Sequence, residues 1–305
     1  MRDPVLVTGA AGFIGSALVA SLRASGREVV GVDLVPPSDP DFECVVGDLQ
    51  DPALVEAAFA RPPGAVFHLA ARTSVLRSIE DPQGVYGVNV AATQLLLEAS
   101  RRAGVGAFVL ASTNAVVGNS TDGPNGGRID ERTPLRPLTP YGATKAAGEM
   151  LCSAYAGAYG MAASAVRLTN IYGPGMGGKD TFVIRLLRAA ASGAPATIYG
   201  DGRQERDYLY VDDCVAGLRL ACDRAWSGPL TLGTEVSTSV LELCRLAGEA
   251  VGVPIGEAEV PAPDGEMRAV RVDTSQARSL GFVARVALPE GLRRTWEALR
   301  SQLSS

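Results

Sequence analysis

Tyr141 and Lys145 form a Y-x-x-x-K pair, a spacing that permits joint acid–base chemistry. They lie in a segment that predicts a helix, so residues four positions apart share one helical face. A free tyrosine has a pKa of about 10 and needs help to act as a base near neutral pH. A nearby lysine ammonium supplies that help because it favours the phenolate. A tyrosine and a lysine on an ordinary helix surface can have the same spacing. Whether this pair is catalytic therefore depends on the residues around it.

Three glycines, Gly9, Gly12 and Gly15, occur in the segment VTGAAGFIG, between a predicted strand and a predicted helix. Gly9 allows a tight turn, and Gly12 lets backbone N–H groups approach a pyrophosphate at the helix N-terminus. Gly15 lets the helix pack close to the sheet. A merely tight turn is the alternative, but the strand–turn–helix context predicts a dinucleotide site.

Asp33 ends the second predicted strand, 18 residues after Gly15. A carboxylate there accepts hydrogen bonds from the adenosine ribose hydroxyls and repels a 2′-phosphate. The following Leu-Val-Pro-Pro segment contains no cation to bind that phosphate. We therefore expect NAD rather than NADP as the cofactor. The alternative is that Asp33 is only a solvent-exposed residue at the end of a strand.

Composition excludes several classes of function. The 305 residues carry a formal net charge of −5, which argues against a nucleic-acid partner because that surface would need dense positive charge. The only histidine is His68, so metal sites built on paired histidines are excluded and we expect no metal. No run of 18 uncharged apolar residues predicts a membrane span.

Five cysteines, an odd number, occur without a CxxC pair. This pattern favours reduced, buried thiols and a cytoplasmic location. The apolar N-terminus is not read as a signal peptide, because Asp3 and Pro4 interrupt it and its glycines follow the nucleotide-binding spacing. We also expect His68 to be a hydrogen-bonded core residue, and Asp212 and Asp213 to cap a helix.

Short, continuous apolar runs alternate with helical stretches through the first half of the chain. Such runs are typical of a parallel sheet covered on both faces, and repeated β–α units build a doubly wound α/β sheet. The predicted strands are 5–8, 28–33, 43–46, 65–69, 107–112 and 161–167. The predicted helices are 12–25, 52–60, 82–103, 140–159, 181–191, 211–225, 239–251 and 289–302, with a loop at 254–265.

Six motifs occur along the chain in one order: TGAAGFIG, FHLAA, STNAVVG, PYGATK, RLTNIYGPG and GDGRQERDYLYVDD. Together they resemble the extended short-chain dehydrogenase/reductases, in particular the nucleotide-sugar epimerase/dehydratase family. The resemblance implies a Rossmann domain at 1–167 that binds NAD and a smaller C-terminal α/β lobe at 168–305 that binds the substrate. Residues 211–232 are expected to return to the Rossmann domain.

The resemblance also assigns roles to single positions. Tyr141 is implied to be the catalytic base, Lys145 to contact the nicotinamide ribose, and Thr113 to relay the proton of the sugar hydroxyl. Thr113 and Ser112 could instead only cap a turn. The remaining implied cofactor contacts are Gly9, Gly12, Phe13, Ile14, Gly15, Asp33, Asp48, Leu49, Leu69, Ala70 and Ala71.

Asn114 and Ala115 distinguish subclasses of the family. Members that eliminate water carry an Asp-Glu pair at these positions, where the carboxyl groups act as acid and base. Alanine cannot abstract a proton, so 4,6-dehydration is not expected. Reversible oxidation at C4, as in a 4-epimerase, needs neither carboxylate.

The second lobe is implied to contact the nucleotide-sugar substrate through Asn170, Arg206 and Tyr208. The family's second diphosphate arginine is replaced by Pro263, so we expect Arg268 to substitute and Glu266 to contact the nucleoside ribose. An alignment on Glu266 places Val270 beside the sugar 2-substituent.

Three functions remain open from the sequence. The first is an NAD-dependent nucleotide-sugar 4-epimerase, of UDP-glucose/galactose type or acting on a UDP-N-acetylhexosamine or UDP-uronate. The alternatives are a 4-ketoreductase of a deoxysugar nucleotide and a non-catalytic NAD-binding regulator. A stripe of Leu151, Tyr155 and Tyr159 is either core or interface, and the resemblance implies a homodimer.

Overall fold

The computed structural model describes residues 3–39, 41–118, 127–261 and 269–303. Its fourteen strands within these residues fall into four sheets. In chain order they are β1 Val5–Thr8, β2 Val29–Asp33, β3 Glu43–Val46, β4 Ala65–His68, β5 Ala107–Thr113, β6 Arg128–Ile129, β7 Ala163–Leu168, β8 Asn170–Tyr172, β9 Ala196–Tyr199, β10 Glu205–Tyr210, β11 Gly228–Leu232, β12 Ser237–Ser239, β13 Glu257–Val260 and β14 Arg271–Val272.

Eleven α-helices accompany these strands in the described part of the chain. They are α1 Phe13–Ala24, α2 Pro52–Ala58, α3 Val75–Glu80, α4 Pro82–Tyr86, α5 Ala92–Ala103, α6 Pro140–Tyr159, α7 Phe182–Ser192, α8 Val211–Asp223, α9 Val240–Val251, α10 Ser275–Leu280 and α11 Leu288–Leu303. None of them, over the residues described, has the length and apolar character needed to cross a bilayer.

Seven parallel strands form the main sheet, in the order β11-β7-β5-β4-β1-β2-β3. Residues of β1 and β4 are buried along their whole length because helices cover both faces. Helices α1 and α8 pack on one face, through residues that include Leu18, Leu22 and Leu218. Helices α2, α5 and α6 cover the other, through Val55, Leu96 and Cys152.

The strand order reverses between β1 and β4, and a doubly wound sheet opens a crevice at that point, beyond the carboxyl ends of its strands. The glycine turn follows β1 and the segment Leu69–Ala71 follows β4, so both lie at this edge. The predicted doubly wound α/β fold therefore places the predicted nucleotide-binding residues in a crevice.

A second core lies among α7, α9, α11 and the strands β9 and β10, with Leu187, Leu243 and Leu292 buried in it. Strand β10 pairs in parallel with β8 and antiparallel with β12. The short strand β8 begins two residues after β7 ends, so one continuous segment connects the main sheet with this smaller sheet.

Three expectations about local structure were wrong, and a short helix was missed. Residues 82–103 are not one helix, because a π-helical turn at Gly87–Ala91 separates α4 from α5. The helix α3 was not predicted. The expected loop at 254–265 contains β13, which pairs in parallel with β9. Neither Asp212 nor Asp213 caps α8, whose N-cap position is Tyr210; the Asp213 carboxylate instead accepts the N–H groups of Arg285 and Val286 at 3.0 and 2.9 Å.

Candidate active site

A cleft of about 460 Å³ lies beyond the carboxyl ends of β1, β2, β4 and β5. The structure brings together along it every residue that the sequence implied for the cofactor. These residues are Gly9, Gly12, Phe13, Ile14, Gly15, Asp33, Asp48, Leu49, Leu69, Ala70, Ala71, Tyr141 and Lys145, and the predicted proton relay Thr113 lines the same cleft.

The glycine turn leaves no room for side chains. A Cβ atom on Gly15 would lie 1.9 Å from the carbonyl oxygen of Gly9, and one on Gly9 would lie 2.8 Å from the nitrogen of Ala70. Gly9 also has a φ of +70°, which side chains disfavour. Gly12 is the N-cap of α1 and provides no side-chain cap, so the first-turn N–H groups face the cleft without a side-chain acceptor. This bare helix start fits a dinucleotide pyrophosphate.

Asp33 projects from the end of β2 into the same cleft. One carboxylate oxygen accepts the N–H of Ala11 at 2.9 Å, which fixes the carboxylate against the glycine turn. Among the described residues between Asp33 and β4, those that line the cleft are Leu34, Gly47, Asp48 and Leu49, none of which is a cation. This charge pattern favours free ribose hydroxyls over a 2′-phosphate.

His68 is the hydrogen-bonded core residue that the sequence predicted. Burial, with a smaller contribution from the Lys145 charge, lowers its pKa to about 3, so the ring is neutral. Thr93 donates its only hydroxyl proton to the carbonyl of Asn89, at 2.8 Å, and therefore accepts from His68 Nε2 at 2.9 Å. His68 Nδ1 then accepts from Thr8, 2.7 Å away. Thr8 in turn accepts the N–H of Ala70, at 3.2 Å, and so holds the cleft wall.

Asn89 continues this network from the π-helical turn. Its side chain accepts the N–H of Arg72 at 2.9 Å and donates to the Arg72 carbonyl at 3.0 Å. It also donates to Thr144 at 3.0 Å, and Thr144 donates to the carbonyl of Tyr141 at 2.8 Å. The wall that follows β4 and the helix that carries Tyr141 are therefore fixed to each other. Sequence analysis missed Asn89, because nothing local indicates the π-turn that places it there.

Helix α6 positions Tyr141 and Lys145 on its buried face. Thr139 caps the helix through the N–H of Gly142, and Pro140 occupies its first turn, where no backbone donor is needed. A Cβ atom on Gly142 would lie 2.7 Å from the Ala115 carbonyl, so glycine allows the turn that carries Thr113 to approach the helix closely.

Tyr141 and Lys145 are both buried, which shifts their pKa values in opposite directions. Burial raises the pKa of Tyr141 to about 12, although a hydrogen bond with Thr113 acts to lower it. Burial lowers the pKa of Lys145 to about 8, partly offset by the negative field of Cys152 and Glu149. The ammonium donates to the Ala111 carbonyl at 2.8 Å. Thr113 also accepts the N–H of Ala115 at 3.2 Å, so it caps the turn at 114–117 while it contacts Tyr141.

A buried ion pair lies behind these residues, and sequence analysis missed it. The Glu149 carboxylate accepts from Arg167 at 2.9 Å, and both side chains are 5% exposed or less. Ser112, the neighbour of Thr113, donates to the same carboxylate at 2.6 Å. The available signal was a glutamate four positions after Lys145 on the same helical face.

A second cleft of about 340 Å³ lies between α7 and β10, and Thr169, Ile171 and Thr181 line both clefts. It contains the predicted substrate contacts Asn170, Arg206 and Tyr208. The Asn170 amide donates to the Asp207 carbonyl at 3.0 Å, which orients it on β8.

The remaining substrate assignments concern the segment after β13. Pro263, Glu266 and Arg268 lie outside the described residues. Val270 is fully buried beside Val116 and Ile129, and it is not among the described residues lining either cleft. A role beside the sugar 2-substituent is therefore not supported.

Residues 5–230 match the NAD dependent epimerase/dehydratase family. The chain belongs to this family. The expected family, its NAD dependence and the Rossmann-type fold are therefore confirmed.

Known relatives resemble the chain over almost its whole length. It is 38% identical to a UDP-glucose 4-epimerase of Mycolicibacterium smegmatis, over 97% of this chain and 98% of that protein. It is 35% identical to a dTDP-glucose 4,6-dehydratase of an Actinoplanes species, over 95% of this chain and 96% of that protein. The solved structure of MoeE5 with UDP-glucose and NAD superposes with a TM-score of 0.89 at 41% identity, covering 99% of this chain and 100% of that one.

Proposed function

We propose that this protein is an NAD-dependent epimerase that inverts C4 of a nucleotide-diphosphate sugar. The observation that carries the proposal is the group formed by Tyr141, Thr113 and Lys145, buried in a cleft that continues into a second, arginine-lined cleft. The first cleft has the size and chemistry for a dinucleotide and the second for a nucleotide-sugar. The name of the Mycolicibacterium relative supports the reaction.

The cofactor half of this proposal rests on the glycine turn and on Asp33. The first-turn N–H groups of α1 would bind the pyrophosphate, and Asp33 would accept the adenosine ribose hydroxyls. Asp48 and Leu49 would flank the adenine, and Leu69–Ala71 would follow the cofactor toward Tyr141. NAD, when bound, supplies a reversible hydride acceptor.

Tyr141 would remove the proton of the C4 hydroxyl and later return it. Burial raises the pKa of Tyr141 and so disfavours its phenolate form. Tyr141 therefore needs the positive charge of Lys145 to ionise near neutral pH. The Ala111 carbonyl holds that ammonium in place, and Thr113 lies where it can pass the sugar proton to the phenol.

Dehydration is the competing reaction, since several relatives are named as 4,6-dehydratases. That reaction needs an acid and a base besides Tyr141, and this chain has Asn114 and Ala115 where the family's carboxylates would stand. Ala115 is part of a turn that packs on α6 through its carbonyl. We therefore assign epimerisation rather than elimination.

The decisive experiment is to incubate the protein and NAD with a panel of sugar nucleotides and follow the C4 stereochemistry by NMR. The panel contains UDP-glucose, UDP-N-acetylglucosamine, UDP-glucuronic acid and dTDP-glucose. We expect interconversion of one C4-epimer pair with a catalytic amount of NAD. Stoichiometric reduction of NAD to NADH, with a 4-keto sugar nucleotide as the product, would establish the oxidoreductase alternative, and NAD binding without turnover would establish the regulator.

Assembly and location complete the proposal. We propose a homodimer formed through α5 and α6, where Met150 and Tyr159 are 62% and 58% exposed. Tyr155 packs into the core instead. All five cysteines are free thiols, which supports the cytoplasmic location. We also retain the expected division into a cofactor unit, 1–167 with 211–232, and a substrate unit from the remainder.

A further inference from the structure

The second cleft is lined by two arginines from different elements. Arg206 lies on β10 and Arg185 lies in the first turn of α7, and both side chains line the cleft. None of the described residues that line it is acidic. The described lining of the cleft therefore carries two positive charges and no negative one, within a chain whose net charge is −5.

Among the described residues, the acidic partner of Arg185 is Asp180, and their ion pair is weak. The Nε atom of Arg185 lies 3.2 Å from Asp180, with the two side chains 40% and 82% exposed. The geometry does not make a hydrogen bond, since the Nε atom is buried without an acceptor. An exposed ion pair of this kind contributes little, so an anionic ligand can displace Asp180 at small cost. Arg167, by contrast, forms a buried ion pair with Glu149.

We propose that Arg185 is the second cation that holds the substrate diphosphate. This inference rests on the function proposed above and replaces the expectation that Arg268 compensates for Pro263. A diphosphate carries charge on two phosphoryl groups, and two guanidinium forks that line one cleft can each bind phosphate oxygens. Helix α7 would thus provide the second diphosphate arginine that this chain lacks at Pro263, in place of the segment after β13.

The test measures nucleotide binding by calorimetry and does not depend on turnover. UDP and dTDP are titrated into the wild-type protein, and the tighter ligand is then compared with its nucleoside in the variants. Arg185→Ala should weaken diphosphate binding at least about tenfold, the effect of losing charge-assisted hydrogen bonds, and leave nucleoside binding within about twofold. Arg185→Lys should give an intermediate loss, because the charge remains without the fork.

Two control variants separate binding from structural support. Asp180→Asn breaks the same ion pair but leaves Arg185 and removes a competing anion, so diphosphate binding should stay equal or tighten. Arg203→Ala removes an 85% exposed arginine near the cleft and should change nothing. If Asp180→Asn weakens binding as Arg185→Ala does, the ion pair supports the loop and the proposal is wrong.

Other outcomes also decide the question. Equal weakening of nucleoside and nucleoside diphosphate in Arg185→Ala would overturn the diphosphate role. So would a loss in Arg268→Ala with unchanged binding in Arg185→Ala. If the wild-type protein binds neither UDP nor dTDP, the proposed function itself fails, and the role of Arg185 fails with it.

Discussion

The charge of Lys145 is the property of this site that can be measured most directly. Burial lowers its pKa from the ordinary value of 10.5 to about 8, while Glu149 and Cys152 act to raise it. His68, the nearest other base, is neutral at these pH values. We therefore predict that Lys145 is mostly protonated at pH 7 and loses its proton near pH 8.

The lowered pKa of Lys145 makes the unfolding free energy depend on pH, in the direction set by which state binds more protons. Between pH 8 and 10.5 the unfolded chain holds a proton on Lys145 that the folded chain has released. The unfolding free energy of the wild-type protein therefore rises with pH across this window, relative to Lys145→Met, which cannot titrate. The full difference is about 3 kcal/mol, from about 1.4 kcal/mol for each pH unit.

The assay uses the fact that the chain has only two lysines, Lys145 and Lys179. Protein labelled with ¹³C-lysine gives two side-chain signals, and Lys145→Met identifies the buried one by its loss. Lys179 is exposed at the rim of the same cleft and serves as an internal reference. Urea unfolding of both proteins between pH 7 and 10.5 then measures the stability difference.

Glu149→Gln provides a second perturbation of the same group. It removes a carboxylate that supports the ammonium and leaves Arg167 without its partner. The Lys145 pKa should then fall below about 8. A Lys145 signal that titrates near 10.5 in the wild-type protein, or a stability difference that does not change with pH, would refute the argument from burial.

Four further predictions concern the proposed reaction. Tyr141→Phe should lower turnover by about 10²-fold or more, because only the general base is lost, while calorimetry shows NAD still bound; near wild-type rates would exclude Tyr141 as the base. Asp33→Ala should narrow the preference for NAD over NADP, and equal affinity of the wild-type protein for both would contradict the role of this carboxylate. No 4-keto-6-deoxy sugar should form from nucleotide-activated glucose, because Ala115 cannot act as a base; its detection by NMR would mean that other carboxylates serve C5 and C6. Arg206→Ala should raise KM at least about tenfold without changing NAD affinity, and an unchanged KM would remove Arg206 from the diphosphate site.

The sequence by itself determined the elements that depend on local pattern. Continuous apolar runs predicted six of the seven strands of the parallel sheet, all except β11, because strands buried on both faces need no alternation. The glycine turn was predictable because glycine is the residue that fits a tight turn without room for a Cβ atom. The structure shows why Gly9 is needed, since its backbone lies close to Ala70. The predicted helix at 140–159 likewise begins where expected, with Pro140 in its first turn.

Only the tertiary structure decided which distant residues meet. Strand β13 pairs with β9 from about sixty residues away, so the segment that contains it looked like a loop. The π-turn that places Asn89 against Arg72 and Thr144 has no local signature, since its hydrogen bonds join three separate segments. Arg185 and Arg206 line one cleft because α7 and β10 contribute to the same second core, and spacing along the chain carries no information about that arrangement. Local patterns fix backbone conformation, whereas the charge of a cleft depends on the packing of whole elements.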